Sequence, residues 1–200
     1  MPWSSDMISL PANGSCFVLY PKNSVSEMLS CLPEQPVEKT VTTGKTERNA
    51  IALTNPYTLT LREAGATVTL DTLKSWSELT EGNLRYFSGH GKYTTTVKLK
   101  KKPSGNEILH LGKVMNIAHV WVNGQDCGIV WTAPYEANIG KALKKGVNTI
   151  EIEVVNTWAN ALRGMDEGKA PYEGIWTNAK YRMDKPHLLP AGLLGPITIK

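Results

Sequence analysis

The feature that most constrains the fold is an alternation of polar and apolar residues between residues 86 and 156, which breaks at Gly, Pro and Asn-Gly and then resumes. In KYTTTVKL, the residues predicted to share one face are Tyr93, Thr95, Val97 and Leu99. Successive side chains of a strand point to opposite faces, so this pattern predicts a half-buried β-strand. NTIEIEVV repeats it, with Ile150, Ile152 and Val154 on the predicted inner face. Strands at this spacing, without long helical patterns between them, predict an antiparallel β-sandwich.

Turn residues divide the remaining strand-like segments. YTLTL begins at Tyr57 and is followed by a turn at 63–65 and by ATVTL. IAHVWV runs into Asn123-Gly124, a pair that tolerates the positive φ of a two-residue hairpin. The sequence LLGPITIK predicts a closing strand, whereas residues 157–191 predict a long connection without regular structure, of a kind that is often functional.

The N-terminal part has a different pattern. Residues 8–20 predict one strand, and Ser24 with Glu27 form a capping box for a short helix over residues 24–32. Residues 33–56 are rich in Thr, Pro, Glu and Asn and predict a linker. We therefore expect an N-terminal extension over residues 1–56 and one β-domain over residues 57–200.

Composition excludes several classes of function. The chain is 41% hydrophobic and 20% charged, which suits a domain with a real core. A net charge of +4 is too mild for a typical nucleic-acid-binding protein. No apolar stretch approaches the length of a membrane span, and MPWSSDMISL does not have the pattern of a signal peptide. We expect no nucleic-acid or membrane partner; localisation stays open, periplasmic or secreted if a parent protein carries a signal peptide.

Six short motifs carry a family resemblance. They are Y-F-S-G-x-G-x-Y (86–93), V-W-V-N-G (120–124), G-x-x-W-x-x-P-Y (128–135), L-K-x-G-x-N-T-I-E-I-E-V (143–154), N-x-W-x-N-x-L-x-G (156–164) and L-L-P-x-G-L-L-G-P (188–196). In this order they resemble the galactose-binding-like jelly roll, a family 2 type of sugar-binding domain. The last two resemble the C-terminal region of family 106 α-L-rhamnosidase-like glycoside hydrolases.

The resemblance covers about residues 57–200 and implies an all-β jelly roll with a short N-terminal extension. It implies carbohydrate and the catalytic domain of a glycoside hydrolase as partners. The family's catalytic carboxylates lie on a (β/α)8 barrel, which needs about 250 residues and does not fit in this chain. The resemblance therefore implies either a non-catalytic C-terminal fragment of a larger enzyme or a stand-alone relative, and it does not imply an active glycosidase.

Two alternatives stay open at this point. The domain could be purely structural and serve interdomain docking, in which case an exposed apolar patch is expected. It could also be a glycosidase in its own right, which requires two facing carboxylates about 5–9.5 Å apart. The candidate loop carboxylates are Glu136, Asp166, Glu167, Glu173 and Asp184.

Candidate ligand-binding residues come from the chemistry of sugars. Aromatic faces pack on the C–H side of a pyranose, while amide and guanidinium groups bind its hydroxyls. The candidates are Trp131, Tyr135, Asn156, Asn160, Arg163, Tyr172, Trp176 and Tyr181. The polar members could instead satisfy the backbone of the long connection. Trp158, directly after a strand, is expected to plug one end of the sandwich, whereas Tyr172 and Trp176 are expected to be exposed.

We expect no catalytic residues, no cofactor and no metal site built from histidine or cysteine. The histidines are scattered, and Cys16, Cys31 and Cys127 match no metal motif. Some jelly rolls hold a structural calcium ion through loop oxygens, for which Asp71 or Asp126 could serve.

Overall fold

The computed structural model describes residues 50–54, 56–178 and 187–200. The strands are β1 (Ile51–Ala52), β2 (Tyr57–Leu61), β3 (Ala66–Leu70), β4 (His90–Leu99), β5 (Ile108–His110), β6 (Lys113–Met115), β7 (Ile117–Val122), β8 (Gln125–Val130), β9 (Glu136–Asn138), β10 (Gly146–Val155), β11 (Gly192–Gly195) and β12 (Thr198–Ile199). One helix, α1 (Ala159–Asp166), and two 3-10 turns, Trp76–Glu78 and Leu84–Tyr86, accompany them. The predicted N-terminal strand and helix lie outside the described residues.

The strands pair antiparallel in three sheets. A six-stranded sheet has the order β3-β2-β4-β10-β7-β8, a four-stranded sheet has the order β1-β12-β5-β9, and β11 pairs with β6. At the centre, β4 and β10 pair along their whole length, from Leu99 opposite Gly146 to His90 opposite Val155. β1 lies within the segment predicted as the N-terminal extension and pairs with β12.

Alternation decides which face of the large sheet is buried, as the sequence predicted. Ile150, Ile152 and Val154 on β10 are at most 1% exposed. Leu109 and Leu193, from the smaller sheets, join the same core cluster. The described residues therefore form an all-β antiparallel sandwich with one apolar core.

The predicted hairpin turn at Asn123-Gly124 is confirmed. Both residues have positive φ, of 53° and 80°. The Asn123 amide also ties the turn to its surroundings, because Nδ2 donates to Ala142 O at 2.8 Å and Oδ1 accepts from Thr149 N at 3.1 Å. The turn fixes the register of β7 and β8, which carry part of the candidate site.

The prediction of a connection without regular structure over residues 157–191 is wrong at α1. Gly164 and Gly168 suggested a loop, but both belong to the helix or its cap. A Cβ on Gly164 would lie 2.8 Å from Cβ of Tyr86, so glycine lets the helix dock closely. Gly168 has φ +67°, and Lys169 N donates to Gly164 O while Gly168 N donates to Met165 O. These bonds form a Schellman motif that ends the helix.

The sequence also missed the short strands β6 and β9 and joined β11 to β12. Pro196, which lacks an N–H to continue a ladder, separates β11 from β12. Among the described residues, no helix has the length and apolar character needed to cross a membrane.

Candidate functional site

Three exposed apolar side chains lie at the β7–β8 end of the six-stranded sheet: Ile117, Ile129 and Trp131, which are 45%, 59% and 64% exposed. We call them the outer patch. Ile117 pairs with Val155 of β10, and Ile129 pairs with His119 of β7. Ile117, His119 and Ile129 occupy the outward positions of the alternation, because Ala118 and Val120 are buried. Trp131 comes two residues after Ile129, directly after the end of β8.

The outer patch borders a more polar stretch of the same face. The rings of His119 and Trp121 have centroids 3.8 Å apart, and Lys92 Nζ lies 5.6 Å from the Trp121 ring centroid. His119 Nε2 also lies 2.9 Å from Asp126 Oδ1. A polar rim next to exposed apolar residues is typical of a protein interface.

A cleft of about 470 Å³ lies elsewhere, against α1. Its lining residues are Ser77, Arg85, Tyr86, Arg163, Glu167, His187 and Leu188. We call it the arginine cleft. It is within the range of about 300–1,000 Å³ that small-molecule sites occupy.

Glu167 is held firmly in this cleft. The Tyr86 hydroxyl donates to its Oε2 at 2.6 Å, and Arg163 Nε donates to its Oε1 at 2.6 Å. Lys169 Nζ lies 3.6 Å from Oε2. The hydrogen bonds from Tyr86 and then Arg163 keep the pKa of Glu167 below its ordinary value. The hydrogen bond to Glu167, helped by burial, raises the pKa of the Tyr86 hydroxyl.

A second cleft, of about 310 Å³, surrounds Tyr135. Its other lining residues are His110, Gly112, Lys113, Ala133, Pro134 and Glu136. His110 Nδ1 lies 2.9 Å from Glu136 Oε1. Tyr135 is half-buried, and its backbone O accepts from Leu111 N at 2.9 Å. The predicted aromatic residue therefore lies beside a cleft, but not in the one that contains Arg163.

The two predicted asparagines bind backbone groups. Asn156 Oδ1 accepts from Gly89 N at 2.9 Å, and its Nδ2 donates to Phe87 O at 3.2 Å. Asn160 is 2% exposed; its Nδ2 donates to Leu189 O and its Oδ1 accepts from Leu189 N, both at 2.8 Å. The structural alternative for these side chains is thus realised, and sugar binding by them stays a prediction.

The other aromatic side chains are placed differently from each other. Trp176 is 76% exposed, as expected. The expectation that Tyr172 is exposed is wrong: its ring packs edge-on against Phe87 and its hydroxyl donates to Ser88 O at 2.5 Å. Trp158 does not plug the sandwich but is 54% exposed, because it is the N-cap of α1, whose buried residues are Asn160, Ala161 and Gly164. Tyr181 lies outside the described residues.

The structure therefore does not gather the predicted set into one site. Among the predicted residues that the structure describes, Arg163 alone lines the arginine cleft, together with four residues that sequence reasoning did not assign to ligand binding: Arg85, Tyr86, Glu167 and His187. The i,i+4 spacing of Arg163 and Glu167 was a usable signal only once α1 was recognised.

No group of three His, Cys, Asp or Glu side chains suited to a metal ion occurs in the described ranges. Asp126 Oδ1 accepts from Gly128 N at 2.7 Å in addition to its contact with His119. Calcium binding by Asp71 or Asp126 stays a prediction.

Comparison with known proteins identifies the domain. The family model described as "Glycosyl hydrolase 2 galactose-binding domain-like" matches residues 77–187, more than half of the chain. A protein of Formosa agariphila named "Putative beta-glucuronidase" is 34% identical over 158 residues, which cover 66% of this chain and 14% of that protein. The chain thus spans a small part of this curated relative.

Two solved structures contain a similar domain. A rhamnosidase from Novosphingobium sp. PP1Y matches 80% of this chain and 16% of its own, with a TM-score of 0.68 and 34% identity. A β-D-glucuronidase of Dictyoglomus thermophilum shares the fold, with a TM-score of 0.55 and 21% identity over 78% of this chain and 28% of its own. The chain belongs to the galactose-binding-like domain family of glycosyl hydrolase 2.

Proposed function

We propose that this chain is a non-catalytic domain of a glycoside hydrolase of the α-L-rhamnosidase type and packs against the catalytic part of that enzyme through the outer patch. The observation that carries this proposal is the exposure of Ile117 and Ile129 at outward positions of β7 and β8, with the exposed Trp131 two residues beyond Ile129. Contiguous exposed apolar side chains on a soluble domain mark an interaction surface.

The lengths of the relatives indicate what covers the outer patch. Matched regions make up 14% and 16% of the two proteins that are 34% identical to this chain. Each of these proteins therefore contains a much larger polypeptide beside this domain. Burying a tryptophan and two isoleucines against that polypeptide would stabilise the packed arrangement by several kcal/mol, at about 1.5–3 kcal/mol per side chain.

A non-catalytic role also fits the described carboxylates. Glu167 lines the arginine cleft and Glu136 lines the Tyr135 cleft, one carboxylate in each. Both are already paired, with Arg163 and with His110. Glycoside hydrolysis uses two carboxylates across one bond, so neither described cleft supports the stand-alone alternative.

A chimera tests the packing role. The matching segment of the Novosphingobium rhamnosidase is replaced by this chain, with and without Ile129→Asp plus Trp131→Ser. We expect the double variant to lose cooperative unfolding of the chimera and to lower its Tm, because a charge would be buried in the interface. Trp176→Ser is the matched control, since Trp176 is more exposed than Trp131 and outside the patch.

Circular dichroism of the isolated chains shows whether each variant still folds, which surface substitutions should allow. Equal Tm and equal rhamnosidase activity for the double variant and the control would refute packing through this patch.

A second candidate is glycan binding at the exposed indole faces, because Trp158 and Trp176 are 54% and 76% exposed. Titration calorimetry with L-rhamnose, galactose and neutral oligosaccharides tests it, with Trp176→Ala as the informative variant. Heat that disappears in Trp176→Ala supports binding on this indole, and absence of heat across the panel rejects it.

A further inference from the structure

The arginine cleft carries more positive than negative charge. Arg85 and Arg163 line it, Lys169 lies 3.6 Å from Glu167 Oε2, and Glu167 is the carboxylate among the described lining residues. The Tyr86 hydroxyl, which donates to Glu167, lies in the field of Glu167, Lys169 and Arg85. Two arginines thus line the cleft against one described carboxylate, and Lys169 beside Glu167 adds a further positive charge, which favours an anionic ligand.

The donors are suited to a carboxylate in particular. The described contacts of Arg163 use one of its five N–H donors, the Nε–H that bonds Glu167. Arg85 lies with Cζ 5.8 Å above the Tyr86 ring, and its residue is exposed. A guanidinium can bind a carboxylate through two parallel hydrogen bonds, which a lysine cannot do.

Glu167 adds a requirement of its own. Tyr86 and Arg163 fix it as an ionised acceptor, so it would repel a ligand that carries charge alone. A ligand that offers hydroxyl donors next to an anionic group satisfies both Glu167 and the arginines. Because Arg85 covers the Tyr86 ring, and Tyr86 is 6% exposed, the cleft offers no open face of this ring for base stacking.

We propose that the arginine cleft binds an acidic saccharide, with Arg85 and Arg163 on the carboxylate of a uronic acid and Glu167 on its neighbouring hydroxyls. This site is separate from the outer patch and does not depend on the packing role. A result that refutes saccharide binding in the arginine cleft would leave the packing role of the outer patch untouched, because the two proposals are tested with different variants.

Titration calorimetry on the full chain at neutral pH tests the site with galacturonic acid and its neutral counterpart galactose. We expect the uronate to bind at least about tenfold more tightly, because only it can form the bidentate pair. Raising NaCl from about 50 to about 500 mM should weaken uronate binding through screening. Equal affinity for the two sugars, or no binding of the uronate, would overturn the proposal.

Variants locate the site and separate its two requirements. Arg85→Gln, at an exposed residue, should reduce uronate affinity about tenfold. Arg62→Gln is the matched control, because Arg62 pairs with Glu153 on the sheet face and is 61% exposed. Acetate is the probe for charge alone: acetate that competes as well as the uronate would overturn saccharide recognition. An equal loss in both variants would mean that net charge, rather than the cleft, attracts the ligand.

Discussion

The indole Nε1 of Trp76 donates a 2.6 Å hydrogen bond to the hydroxyl oxygen of Tyr93 in the centre of the sandwich. The backbone N–H of Leu193 donates to the same oxygen at 2.9 Å. Trp76 and Leu193 are fully buried and Tyr93 is 1% exposed. One hydroxyl therefore satisfies two donors and links the long β4 to β11.

Removing that hydroxyl should be costly. Tyr93→Phe leaves two buried donors without an acceptor, and we expect a loss of about 2–4 kcal/mol in the free energy of unfolding. Tyr57→Phe is the matched control, because the buried Tyr57 hydroxyl makes one bond to the described residues, to Leu53 O at 2.7 Å. It should lose about 1 kcal/mol. Urea unfolding measures both; equal losses would contradict the double acceptor role.

Gly192 should tolerate no side chain. It has φ +89°, and a Cβ there would lie 2.4 Å from Trp76 Nε1 and 2.5 Å from the Tyr93 hydroxyl. Gly128 has a similar φ of +97° but nothing within 4 Å of its added Cβ. Gly128→Ala should cost about 1–2 kcal/mol from backbone strain. Gly192→Ala should add about 1–3 kcal/mol from overpacking. Thermal unfolding compares the two variants. Similar Tm values would show that Trp76 and Tyr93 shift to accommodate the added Cβ, contrary to the expectation.

Asn160 should act as a clamp between α1 and the segment before β11. Asn160→Ala removes both bonds to Leu189, and we expect a loss of about 1–3 kcal/mol. The amide of Leu189 should lose protection in hydrogen exchange. Asn83→Ala is the control, since its bond to Ala170 O is 3.4 Å long and exposed. Unchanged protection of Leu189 in Asn160→Ala would refute the clamp.

Acid should weaken the fold through Glu63. Burial raises the pKa of Glu63, but hydrogen bonds from the backbone and ring of His90 outweigh it, so the pKa lies below its ordinary value of 4.5. A carboxyl with a lowered pKa contributes stability above the unfolded pKa and loses it as the pH falls through the folded value. The stability difference between the native chain and Glu63→Gln should therefore be full near pH 6 and shrink below about pH 4.5.

The matched variant for this pH series is Glu78→Gln, which removes an exposed carboxyl. Its difference from the native chain should stay nearly constant. A Glu63→Gln difference that does not change with pH would show that the His90 contacts contribute no ionic stabilisation.

The strands of the sandwich were predictable because alternation is a local property. The buried positions Tyr93, Val97, Ile150 and Ile152 can be recognised from the polar residues next to them in the sequence. α1 was not predictable in this way, because Gly164 is required by contact with Tyr86, far away in sequence. The same distance hid the arginine cleft, whose lining runs from Ser77 to Leu188. The exposure of Trp158 depended on the helix that follows it.

The register of β7 and β8 shifts between His119 and Trp121, on the outermost pair of the large sheet. In the described residues β8 is the last strand in that direction, and it carries Asp126 and Gly128 at the irregular point. A bulge and a charge on an edge strand discourage a second chain from adding its own strand there. The domain thus exposes the apolar side chains of the outer patch beside an edge strand, β8, that resists main-chain pairing. A partner that covers the outer patch must therefore pack on the side chains of the sheet face. This favours a folded partner domain over a strand added at the edge, as in amyloid.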